Sequence, residues 1–247
     1  MIVVSRPDYL VLRADWSGRE DSAGVQVDMV WRCLSGLTGL GGMFGCPWYF
    51  QKLLPTRNEL VGSRSVLGED MGRVLDVTRI PFYMLTQLAD ANQVSGSAYG
   101  WLWISISNPI EMDGAIVNSA ILHIESGTGL DGGIPFDWII GNGPGLVELF
   151  VDAWNPDSVS LTDIDLQGSI DEIDEPWAYA RPGYYLWLAD HILPGAQMPQ
   201  APYRETYNAG TLIGVDPALP GMAGETAGLI DWNPVYDCNT NPLEGTP

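Results

Sequence analysis

Basic side chains are scarce in this sequence. Lys52 is its single lysine, and ten arginines complete a set of 11 bases facing 31 carboxylates, for a formal charge of −20 and a pI near 4.1. Proteins that grip nucleic acid neutralise phosphates with Lys and Arg, so this balance argues against that class. It equally disfavours docking on an anionic membrane surface. Cysteine is sparse and odd in number (Cys33, Cys46 and Cys238), unlike a disulfide framework, so buried free thiols are expected. Only two histidines occur, His123 and His191, and neither H-x-x-x-H nor C-x-x-C spacing is present for zinc. No run reaches the roughly 18 uncharged apolar residues of a membrane span. Arg6 and Asp8 break the apolar start that a secretory signal would need, so the cytoplasm is the expected compartment.

What the chain has in quantity is core material: 46% of its 247 residues are hydrophobic and only 17% are charged. Disorder requires low hydrophobicity together with high net charge, and only the second holds. Tyr9-Leu10-Val11-Leu12-Arg13 reads as a strand. Val27, Val30, Trp31, Leu34 and Leu37 fall at helical spacing over residues 22–37, with Ser22 as N-cap and the glycines from Gly36 onward as the stop. Residues 100–107, rich in aromatic and β-branched side chains, and residues 119–126 read as neighbouring strands. Residues 146–154 read as a short amphipathic helix and 184–189 as a further strand. Beyond Pro194 the Pro/Gly-dense chain is expected to wrap the surface with one short strand near residues 211–215. Neither linker nor repeat is visible. The expectation is one α+β domain over residues 1–247, built on a central, mostly antiparallel sheet with flanking helices.

The motifs that could carry chemistry are weak. Residues 127–132 match G-x-G-x-x-G, but Asp131 would repel phosphate and Gly133-Ile134-Pro135 follows where a helix should start. Gly36, Gly39, Gly41, Gly42 and Gly45 follow a helix rather than precede one, the wrong end of its dipole for an anion, so close packing or a tight turn explains them. Residues 163–174 resemble an EF-hand loop with oxygens at Asp163, Asp165, Gln167, Ser169 and Asp171 and Gly168 at the turn. Gln167 and Asp174 depart from that pattern, and Pro156, Pro176 and Pro182 spoil the flanking helices. His123 falls on one strand face with Ile121 and Glu125, and no G-x-S-x-G elbow anchors a catalytic triad. Ten tryptophans, Trp101 and Trp103 among them, would suit either a core face or a sugar platform. No cofactor, no metal and no catalytic residue is expected. A calcium- or carbohydrate-binding module is the alternative, and a hydrolase using paired carboxylates a more remote one.

Charge is the informative pattern. Residues 1–79 hold nine acids and nine bases, whereas residues 80–247 hold 22 acids against Arg181 and Arg204 alone. Ten acids and no base lie between Asp137 and Glu175. Such asymmetry hints at a charged partner. The segment Tyr9-Leu10-Val11-Leu12-Arg13-Ala14-Asp15-Trp16, followed by the helix through Trp31 into Ser35-Gly36-Leu37-Thr38-Gly39-Leu40-Gly41-Gly42, resembles the immunity protein fifty-two family of bacterial polymorphic-toxin and type VI secretion systems. The resemblance is clearest over roughly the first 45 residues. It implies an α+β fold and neutralisation of toxins with a restriction-endonuclease-like fold. The expected partner is a cognate toxin effector with a basic active-site cleft. The expected contact residues are Asp163, Asp165, Asp171, Glu172, Asp174 and Glu175, with Trp177 as aromatic anchor.

Overall fold

The first described strand lies in the middle of its sheet. In the computed structural model, which describes residues 9–17, 19, 21–45, 47–50, 59–78, 82–88, 98–105, 117–127, 134–163 and 182–239, β1 (Tyr9–Ser17) lies between β6 (Val117–Gly127) and β8 (Ser158–Asp163). Beyond β6 follow β5 (Ala98–Ser105), β4 (Phe82–Leu88), β2 (Trp48–Phe50) and β3 (Glu59–Leu60). Beyond β8 follow β9 (Tyr185–Ala189), β11 (Gly210–Gly214) and β10 (Tyr203–Tyr207). Every pairing along this path is antiparallel. The short β7 (Ile134–Pro135) joins β6 in parallel. The class is α+β.

Two-residue alternation sorts each strand into two faces. Leu10, Leu12, Ala14 and Trp16 of β1, Ala120, Leu122 and Ile124 of β6, and Val159 and Leu161 of β8 are buried in one continuous core. The helices α1 (Ala23–Leu40) and α4 (Gly143–Trp154) supply its other wall through Val27, Val30, Cys33, Leu34 and Leu37, and through Leu146, Val147, Phe150 and Trp154. Trp16 and Trp154 stack inside it, with ring centroids 5.6 Å apart and 17° between planes. The helix α2 (Arg64–Thr78) adds Leu67 and Met71, and the short α3 (Phe136–Gly141) adds Phe136, Ile139 and Ile140.

The helix α1 outruns its expected end by three residues, because Gly36 does not stop it. A Cβ on Gly36 would come within 2.7 Å of Leu149 Cδ1, so the glycine is what lets α4 close on α1. Gly41, at φ 71°, ends the helix instead. Ser22 occupies the N-cap position, but its side chain makes no capping bond; its carbonyl accepts the Gln26 N–H at 3.0 Å.

The opposite face of β9 and β11 carries a second, smaller cluster of Leu186, Leu188, Ile213, Leu193, Met198 and Val235. Here the C-terminal chain does wrap: Ala223 and Ala227 of α5 (Ala223–Ala227) sit in the main core, and Val235 of α6 (Asn233–Asn239) sits across the sheet. It holds a hairpin, however, rather than one strand. The turn Asn208-Ala209 has φ 47° and 57°, positive at both positions as a two-residue hairpin turn demands.

Candidate partner-binding surface

Of the seven expected contact residues, Asp165, Asp171, Glu172, Asp174, Glu175 and Trp177 lie outside the described residues. Asp163 is described, and it is not a rim residue. It ends β8 at 5% exposure, with the Tyr184 hydroxyl donating to Oδ2. Alternation with Val159 and Leu161 turns it toward the core, and a buried carboxylate needs such a donor. Asp163 is therefore a structural acid, unavailable to a partner's side chain.

The open acidic surface among the described residues is elsewhere, between α4 and β10. The apolar stripe of α4 faces the sheet, which leaves Glu148 and Asp152, one helical turn apart, on its outer side. Tyr203, Glu205 and Tyr207 share the helix-side face of β10, because they pair with Gly214, Leu212 and Gly210 and Leu212 belongs to the main core. Tyr203 packs edge-on against Tyr185 at 6.1 Å, which fixes its height above the sheet. Its hydroxyl donates to Glu205 Oε2 at 2.5 Å.

Electrostatics mark this as one cluster. Partial burial, then the charges of Glu205 and Asp152, push the Glu148 carboxyl above the ordinary glutamate range. Partial burial, then a hydrogen bond to Asp152 and the neighbouring carboxylates, push the Tyr207 phenol up to about 12. No Lys, Arg or His side chain among the described residues forms an ion pair with Glu148, Asp152 or Glu205.

The described bases of the first third are spent on structure. Arg13 clasps Asp15 through both carboxylate oxygens at 2.9 and 2.7 Å, and Arg64 pairs with Asp28. Arg19 lies over the Trp16 ring, pairs with Asp21 at 2.8 Å, and donates to the carbonyls of Trp154 at 2.8 Å and Asn155 at 3.0 Å. Arg32 donates to the Asp152 carbonyl at 2.8 Å. Two guanidinium groups thus cap the negative end of α4, where cations are favoured, and leave its carboxylates uncompensated.

The remaining candidates do not assemble into a site. His123 is half-buried, and burial holds its pKa below the ordinary value. His191 is exposed, with Nε2 3.0 Å from Asp157 Oδ1. Cys33 is free and buried, which pushes its thiol strongly upward and makes it inert. Trp101 and Trp103 stand opposite His123 and Ile121 in the β5–β6 ladder. Among the described residues no three His, Cys, Asp or Glu side chains are grouped to hold a metal ion, and no helix is long and apolar enough to cross a membrane. Residues 128–132 of the glycine-rich motif, Cys46 and the rest of the EF-hand-like segment lie outside the described residues.

No protein-family model matches the chain, and no curated protein matches it. Among solved structures it is similar to the Pseudomonas aeruginosa T6SS protein PA0821, at 10% sequence identity and a TM-score of 0.45. That match covers 83% of this chain and 64% of the other, so the chain spans a little under two thirds of that protein's length.

Proposed function

We propose that this protein is a non-enzymatic, cytoplasmic immunity protein that binds and neutralises a cognate toxin effector, a nuclease delivered by type VI secretion. One observation carries the proposal: the whole net charge of −20 falls on residues 80–247, while among the described residues Arg13, Arg19, Arg32 and Arg64 are committed to ion pairs and helix capping. Concentrating like charge on one part of a fold costs stability, so a purpose other than folding is called for. A nuclease must present a basic cleft to phosphates. An acidic inhibitor meets that cleft by steered association, which favours speed against an injected toxin. The resemblance of residues 9–42 to immunity proteins supports the same reading.

In this proposal toxin contact is assigned to Glu148, Asp152 and Glu205 of the described surface and, from the charge pattern of the sequence alone, to Asp165, Asp171, Glu172, Asp174 and Glu175. Charge steers, and aromatic groups supply residence time: Tyr203, Tyr207 and Trp177 are the anchors. The test is protection of cells against the nuclease encoded beside the gene, together with stopped-flow association at varied salt. Reversing Asp171, Glu172, Asp174 and Glu175 to Lys is expected to slow association at least about tenfold at low salt, flatten its salt dependence and leave the circular dichroism intact. Trp177→Ala is expected to act on the dissociation rate. Failure to bind that nuclease, or turnover by the purified protein abolished by one carboxylate substitution, overturns the proposal.

A further inference from the structure

Among the described residues β10 is the last strand of the sheet, and only one side of its backbone is paired. Its turn joins Tyr207 directly to Gly210 through Asn208 and Ala209, both at positive φ. In a two-residue hairpin of this kind the residues flanking the turn exchange both backbone hydrogen bonds, and the pattern alternates from there. Tyr203, Glu205 and Tyr207 therefore direct N–H and C=O toward β11, whereas Arg204 and Thr206 direct theirs outward. Both residues are exposed, and among the described residues no backbone bond is made to either from outside the hairpin. A row of this kind is a template for another strand.

The surroundings of the edge select what can pair with it. On the helix side it is flanked by Glu205, Glu148 and Asp152, interleaved with the Tyr203 and Tyr207 rings. The one base on the strand, Arg204, faces the other side of the sheet with Ile213, where its guanidinium is held by the carbonyls of Pro199 at 3.0 Å and Met198 at 3.4 Å and by that of Gly195. It is therefore not free to neutralise the carboxylates. A second copy of the chain would bring a second charge of −20 and the same three acids to the edge, so self-pairing is opposed by charge.

We infer that the β10 edge accepts an extended, Lys- or Arg-rich segment of the toxin by strand addition, with Arg204 and Thr206 supplying the backbone bonds and Glu148, Asp152 and Glu205 reading the alternate basic side chains. Strand addition takes affinity from main-chain bonds and specificity from side chains on one face. The identity of the partner rests on the immunity reading; the edge and its preference for a cationic strand do not.

The experiment uses the full chain and a fluorescein-labelled peptide of alternating lysine and valine, read by anisotropy at low salt. Binding is expected, and it is expected to fall at least about tenfold when alternate peptide nitrogens are methylated, which keeps every charge but removes the donors. Thr206→Pro, which deletes an outward N–H that the fold does not use, is expected to weaken binding to a similar degree, and Thr206→Ala to leave it unchanged. No binding, or equal binding of the methylated peptide and of Thr206→Pro, overturns the inference and leaves the carboxylates as guards against aggregation. So does a dimer of the free chain in sedimentation that Thr206→Pro dissolves, which would give the edge to a second copy. If the peptide binds as expected but the neighbouring nuclease does not, the immunity reading fails and the edge assignment stands. If the nuclease binds wild type and Thr206→Pro alike, the edge assignment fails and the immunity reading stands.

Discussion

Tyr184 donates its hydroxyl to Asp163 Oδ2 at 2.5 Å, tying the last residue of β8 to the residue that precedes β9. The two strands are already neighbours in the sheet, so this bond pins the base of the long connection between them.

The first prediction follows from that bond. The EF-hand resemblance needs Asp163 as its first ligand, yet one carboxylate oxygen is occupied and the group is buried. Calcium is expected to bind no tighter than about millimolar, measured by calorimetry; micromolar binding lost on Asp163→Ala would contradict it. Tyr184→Phe keeps the ring against Phe136, 5.5 Å away, and removes only the hydroxyl. Its expected cost is about 1.5–3 kcal/mol in urea unfolding, the range for a hydrogen bond to a charged group.

The second prediction concerns the hairpin tip. Ala209 holds φ 57°, a conformation in which a Cβ is strained by roughly 1–2 kcal/mol. Glycine relieves that strain but loses more chain entropy on folding. Ala209→Gly is expected to stabilise the protein by about 0.5–1 kcal/mol, a rise in Tm of a few degrees. A lower Tm would mean that the turn does not hold this geometry in solution.

The third prediction is a pH dependence. Glu148 sits above its unfolded pKa because of burial and of Glu205 and Asp152. An acid with a raised folded pKa binds more protons folded than unfolded, so its ionisation lowers stability as pH rises from the ordinary glutamate range through the raised value. Glu148→Gln is therefore expected to be more stable than wild type at neutral pH, with the difference vanishing in acid below the ordinary glutamate range. Thermal melts of both proteins across that span would test it, and a gap that widens on acidification would refute it.

Sequence legibility followed the strength of the apolar pattern. The helix α1, the strands β1, β5, β6 and β9, and the helix α4 were readable because Val, Leu, Ile and Trp recur at one period through each. The helix α2 is not: Arg64, Glu69, Asp70, Arg73 and Asp76, with Gly68 and Gly72, leave only Leu67 and Met71 buried among its described apolar side chains. The strand β8 alternates Val159 and Leu161 with Ser158, Ser160 and Thr162, a strand signal obscured by the acids around it. As the end of that strand, in phase with Val159 and Leu161, Asp163 is buried instead of exposed. The strand β10 carries polar side chains at three of its five positions and turns through Asn-Ala instead of Asn-Gly, so its strand signal, and with it Glu205 and the two tyrosines, is weak in the sequence. Period-two spacing of Tyr203, Glu205 and Tyr207 ahead of Asn208 was the signal that could have found them.

The central position of β1 bears on synthesis. Its partners, β6 and β8, begin at Val117 and Ser158. At roughly 5–20 residues per second, a ribosome needs on the order of 10 s to deliver both after β1 has emerged. Throughout that interval Leu10, Leu12, Ala14 and Trp16 have no ladder to join, and contacts of such sequence separation close slowly. A nascent chain of this design depends on chaperones or on early packing of β1 against α1, and stalling translation between residues 80 and 117 is expected to trap an aggregation-prone species.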